Sequence, residues 1–92
     1  HYGTSRAAAE ALAGELPSSE TVQCDLADSA AALAMVEGLG KRIDDWRVLI
    51  NSAGLFASDD ADALDLAAGE HMMAVNARTP AAMAQRFLAL AR

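Results

Sequence analysis

The chain reads as an α/β protein, a doubly wound parallel sheet of which only a part is present. Three observations predict this. Two short β-like runs, Thr21-Val22-Gln23-Cys24 and Val48-Leu49-Ile50, flank a helical pattern, which is the spacing of a strand–helix–strand crossover. The second run is continuously apolar, as in a parallel strand covered on both faces. Polar and small residues follow both runs at once, Asp25-Leu26 after the first and Asn51-Ser52-Ala53-Gly54 after the second. The crevice beyond the carboxyl ends of such strands is where an open α/β sheet binds its ligand.

Taken in order, His1-Tyr2-Gly3-Thr4-Ser5-Arg6 is expected to be the end of a strand turning into a helix. The helix runs from Ser5 to Leu16, with Thr4 and Ser5 as N-cap residues and Leu12 and Leu16 forming an apolar stripe. Pro17-Ser18-Ser19 ends it. Thr21 to Cys24 follows as a strand, and Asp28 or Ser29 caps a second helix in which Leu33, Val36, Leu39 or Gly40, and Ile43 recur at helical spacing. Trp46, just before the second strand, is expected to pack under a helix. Gly54 to Asp62 reads as a loop, acidic at Asp59, Asp60 and Asp62, and Ala63 to Ala68 as a short helix. A longer helix runs from about Glu70 to the C-terminus. It is broken or kinked near Thr79-Pro80, because proline removes a donor and crowds the preceding turn.

Composition narrows the function classes. With 53% hydrophobic and 22% charged residues the chain is globular rather than disordered. A net charge of −6 argues against nucleic acid or an anionic membrane as partner, since both require a basic face. No apolar run approaches the roughly 20 residues of a membrane span, and the single cysteine, Cys24, fits a reducing cytoplasm. His1 and His71 are far apart, with no cysteine or carboxylate at ligand spacing, so no metal site is expected. Met35, Met72, Met73 and Met83 fall on helical faces as core or subunit-contact residues.

The ordered set Asp25-Leu26, Asn51-Ser52-Ala53-Gly54 and Asn76 resembles the short-chain dehydrogenase/reductase family over essentially the whole chain. That family has an Asp after its third strand, Asn-Asn-Ala-Gly after its fourth and an Asn on the next long helix; here Ser52 stands at the second position of the tetrapeptide. The resemblance implies a Rossmann-like fold and an NAD(P)-binding domain, present as residues 1–92, the middle portion of a longer enzyme. It implies an oxidoreductase transferring a hydride to or from a carbonyl, an alcohol or a related double bond, with a small-molecule substrate and a homo-oligomeric state. The His-Tyr-x-x-Ser pattern at the start is also similar to the pteridine reductase-like branch.

Each residue carries a bland reading beside the functional one. Asp25 would accept from an adenine amino group and Leu26 would offer its backbone amide to the ring, or Asp25 simply ends a strand and helps cap the next helix. Asn51, Ser52, Ala53 and Gly54 would flank the adenosine ribose, or form an ordinary turn. By resemblance Asn76 holds a water in the proton relay; otherwise it is an exposed helical Asn near a proline break. At Tyr2, Gly3, Thr4, Ser5 and Arg6 no acid precedes Glu10. Hydroxyls and an Arg at a helix N-terminus suit the 2′-phosphate of NADP better than the free 2′-hydroxyl of NAD.

The family's Tyr-x-x-x-Lys and its Thr-Gly-x-x-x-Gly-x-Gly phosphate loop do not occur in these 92 residues, and the one tyrosine is Tyr2. The segment by itself is therefore expected to be inactive. In the sheet order of this fold the strands near Val22 and Leu49 are not neighbours, so further chain or a partner is expected between them. Two other classes fit the same pattern: a non-catalytic nucleotide-binding or scaffolding module, and another doubly wound α/β domain in which the tetrapeptide is accidental.

Overall fold

A computed structural model describes residues 1–56 and 62–90. The expected sheet is not formed. Four α-helices and one π-helical segment account for the regular structure: α1 (Arg6–Glu15), α2 (Ser29–Arg42), α3 (Leu66–Met73), the π segment Ala74–Arg78, and α4 (Thr79–Leu90). Tyr2 pairs with Gln23 in an isolated parallel bridge. It is closed by the Tyr2 amide on the Val22 carbonyl at 2.9 Å and the Cys24 amide on the Tyr2 carbonyl at 3.0 Å.

The physical reason for this correction lies in pairing. A strand is stable only beside another strand, and Thr21–Cys24 meets no more than the single bridge at Tyr2. Val48-Leu49-Ile50 shows the apolar continuity of a strand covered on both faces, yet Val48 is 67% and Ile50 80% exposed. Only Leu49 of the three packs against the core. The chain thus carries strand-like sequence without the neighbours that would make it a ladder.

The helices fare better. Asp28 caps α2, its side chain accepting from the Ala31 amide at 3.1 Å. Asp65 caps α3 in the same way from the Ala68 amide at 3.0 Å. At α1, Ser5 holds the N-cap position but makes no side-chain cap bond. Ser19 does close the other end, its hydroxyl donating to the carbonyls of Ala13 and Leu16 at 2.9 Å. Between them Ser18 adopts φ 54°, a left-handed conformation more readily taken by glycine. The apolar stripe of α1 is not buried: Leu12 is 56% and Leu16 51% exposed.

The core sits where α2 crosses α4. Ala32, Val36 and Met83 are buried there with Cys24 and Leu26, and Met35, Trp46, Leu49 and Val75 pack around them. Trp46 lies against Phe87 of α4, ring centroids 5.0 Å apart at 54°, and its indole donates to the Val48 carbonyl at 2.7 Å. Arg86 pairs with Glu37 across the two helices. Among these apolar residues sits Thr79, fully buried, whose hydroxyl meets that of Ser29 at 2.8 Å. This pair joins the first residue of α2 to the first of α4.

The remainder is open. The accessible surface is 6719 Å², whereas a compact chain of this mass exposes about 5,000 Å². The radius of gyration is 15.1 Å, against about 12 Å for a compact domain of this length. Acidic positions 59 and 60 of the expected loop, and the end of the last helix beyond Leu90, lie outside the described residues.

The buried hydroxyl pair makes a testable junction. Ser29→Ala and Thr79→Val should each lower unfolding free energy by about 1 kcal/mol. The double variant should cost less than the sum, a coupling of about 0.5 kcal/mol or more in urea denaturation. Strict additivity would show that the hydroxyls do not depend on one another.

Candidate functional site

The site is built from the Asn51–Leu55 segment and the helix that passes beside it. From α3 to α4 the chain runs as one continuous helical rod, with the π segment as a change of register in its middle. At its end the Thr79 amide reaches back five residues, to the Ala74 carbonyl. Pro80 comes next and has no amide to give. The Val75 carbonyl therefore loses its α- and π-register donors: Thr79 is committed to Ala74, and the next residue is proline. Single π turns of this kind occur frequently at functional sites.

Asn76 is the middle residue of the π segment. Its Oδ1 accepts from the Leu55 amide at 2.7 Å and its Nδ2 donates to the Leu55 carbonyl at 2.7 Å. One side-chain amide thus supplies both bonds that a neighbouring strand would have given Leu55. At the other end of the segment the Asn51 side chain donates to the Pro80 carbonyl at 3.4 Å, a long bond. Asn51 and Leu55 are four apart and so are Asn76 and Pro80, so the segment is fastened at both ends to one helical turn. Gly54 lies under the clamp, where an added Cβ would stand 3.7 Å from Asn76 Oδ1.

The second cluster is the Tyr2 bridge. Gln23 donates through its side chain to the Gly3 carbonyl at 3.0 Å, and His1 Nε2 donates to the Cys24 carbonyl at 2.7 Å. Asp25 is exposed and uses Oδ1 to accept from the Ala27 amide at 2.9 Å, an Asx turn that leads into α2. Leu26 turns inward to the core. Arg6 is exposed and donates to Glu10 one helical turn on, at 2.9 Å. That hydrogen bond, and the Glu10 charge behind it, hold the guanidinium in its charged form more firmly than in isolation.

An open groove of about 950 Å³ separates the two clusters, lined among others by His1, Leu26, Met35, Asn51, Ser52 and Ala53. Its size falls in the range of small-molecule and cofactor sites. Leu26 and Asn51–Ala53 are brought to one cavity; Tyr2–Arg6, Asp25, Gly54 and Asn76 lie outside its lining. Sequence reasoning missed Leu55, which takes part only through its backbone, and read Pro80 solely as a helix breaker. Among the described residues no group of three or more His, Cys, Asp or Glu side chains converges as a metal site.

Residues 2–92 match the family model described as enoyl-(acyl carrier protein) reductase. The chain belongs to the short-chain dehydrogenase/reductase family. The function of this family is oxidoreductase chemistry on small molecules with a nicotinamide cofactor, NAD or NADP. No curated protein and no solved structure matches the chain. No helix among the described residues is long and apolar enough to cross a membrane.

Cys24 lies beside this site, and burial pushes its thiol above the ordinary range, with Asp25 and Asp28 acting in the same direction. A thiol raised in the folded state favours folding of its neutral form, so its contribution is intact below the unfolded thiol pKa and is lost as pH climbs through the folded one. Stability against urea should therefore fall as pH rises above about 8.5 in the wild type, and fall less in Cys24→Ala. Identical pH profiles for the two proteins would contradict this assignment.

Proposed function

We propose that the chain is part of an NADP(H)-dependent reductase or dehydrogenase that moves a hydride to or from a carbonyl, an alcohol or a related double bond. The observation that carries this reading is the bidentate bond of Asn76 to Leu55, directly after Asn51-Ser52-Ala53-Gly54. It fixes the backbone of the segment that the family sets against its cofactor.

The groups on hand suit the adenosine end of such a cofactor. Asp25 keeps Oδ2 beyond its Asx turn, and small residues at Ser52, Ala53 and Gly54 permit close backbone approach. Thr4, Ser5 and Arg6 gather at the start of α1, with no side-chain cap bond at Ser5, and together offer hydroxyls and a cation to a 2′-phosphate. When bound, the nicotinamide supplies or takes the hydride. The chain's own work is to orient the adenosine end of the nucleotide and to hold a proton path at Asn76.

For that path Asn76 has capacity to spare. An amide side chain makes up to four hydrogen bonds, and the clamp on Leu55 accounts for two of them. The second Nδ2 hydrogen, the second Oδ1 lone pair and the Val75 carbonyl could all hold a relay water. The proton donor itself, and the group that binds the pyrophosphate, are expected from other parts of the enzyme. The apolar surface left open at Leu12, Leu16, Val48 and Ile50 supports the same view, that the 92 residues act within a larger folded unit.

Two measurements on the intact enzyme test these assignments. Arg6→Ala should weaken NADPH binding several-fold while leaving NADH nearly unchanged; equal losses would remove the 2′-phosphate role. Asn76→Ala should lower kcat by at least about tenfold with a much smaller change in cofactor affinity, the signature of an interaction used in the transition state. A folded variant with full turnover would take Asn76 out of the relay.

A further inference from the structure

We propose that Pro80 is the positioning residue that aims Asn76: without it the helix would close in ordinary α register and the clamp on Leu55 would open. The inference deepens the proposed function, since it rests on Asn76 belonging to the site.

Two facts on the backbone lead there. In an α-helix the ring of Pro80 would collide with the carbonyl four residues earlier, which is that of Asn76, and would leave that carbonyl without its donor. The chain avoids the collision by taking in one extra residue just before the proline, with Thr79 reaching Ala74 instead of Val75. A register shift of one residue turns every side chain before it relative to those after it. The side chains after it are held in place: Thr79 by its buried bond to Ser29, and Met83 by burial in the core. The rotation therefore falls on the preceding turn, where Asn76 is the central residue. Its amide comes to face the Leu55 backbone squarely enough to make two bonds of 2.7 Å.

The sequence around the turn supports this assignment. Ala74-Val75-Asn76-Ala77-Arg78 contains no glycine and no other proline. Val75 and Asn76 are weaker helix formers than the two alanines, but none of the five residues breaks a helix. Pro80 is the neighbour whose ring and missing amide force a change of register. Pro80 also takes the Asn51 amide on its carbonyl, so one residue governs both fastenings of the Asn51–Leu55 segment.

Amide hydrogen exchange by NMR on the intact protein reads this directly, independent of catalysis. In Pro80→Ala the amide gained at position 80 should become protected, as the α-register donor to the Asn76 carbonyl. Leu55 should lose protection by about tenfold, the same loss as in Asn76→Ala. The two substitutions together should cost Leu55 no more than either alone. Protection in α4 at Met83 should persist, which separates loss of aim from loss of fold, and Pro80→Ser should repeat the result if the alanine variant folds poorly. Full Leu55 protection in a folded Pro80 variant would overturn the proposal, as would an Asn76→Ala protein whose Leu55 remains protected. Turnover measured on the same variants judges the relay reading separately: Leu55 deprotected with kcat unchanged would keep Pro80 as the aiming residue and remove Asn76 from the chemistry.

Discussion

The amide of Asn76 on the backbone of Leu55 is the contact from which the rest of the site follows. The residues from Arg47 to Phe56 have no regular secondary structure, so nothing periodic holds them. A side-chain amide has the same donor and acceptor as a peptide group, and here it stands in for the missing neighbour. Two net hydrogen bonds of this kind are worth roughly 1–3 kcal/mol together, enough to select one backbone conformation for a short segment. With Asn51 reaching Pro80 at the other end, the orientation of Ser52, Ala53 and Gly54 is set by the helix beside them.

That helix is itself anchored by a small number of contacts. The Ser29–Thr79 hydroxyl pair and the apolar crossing of Val36 with Met83 hold α4 on α2, while Trp46 on Phe87 ties in the start of the next segment. The π turn lies next to this anchor, so the departure from helical regularity occurs where the far side is rigid. Elsewhere cover is sparse. Phe56 is 87% exposed, and α1 buries no residue fully. The molecule is thus well determined around α2, α4 and the clamp and loosely covered at its margins.

The helices were legible because their signals are local. Asp28 capping α2, the spacing of Val36 within it, and Trp46 beneath α4 all depend on residues within a few positions or on one apolar face. The sheet was misread because a strand is a statement about neighbours. Val48-Leu49-Ile50 has the composition of a buried parallel strand, but its exposure shows that nothing in the described residues covers it. At the site, the family pattern pointed to Asn76 and Asn51, and the structure ties both to one helical turn. Asp25 closes an Asx turn through Oδ1, while the cap of α2 falls to Asp28. Leu55 gave no signal, since its part is played by backbone atoms common to every residue. Pro80 gave a signal that was read only halfway, as a break rather than as a change of register.

The central claim is that one side chain pairs with one peptide unit through two bonds at once. Scalar coupling across hydrogen bonds in isotopically labelled protein detects this without mutation. The two bonds predict correlations from the Leu55 amide nitrogen to the Asn76 side-chain carbonyl carbon, and from Asn76 Nδ2 to the Leu55 carbonyl carbon. Both correlations together would establish the clamp; a folded protein showing neither would contradict it.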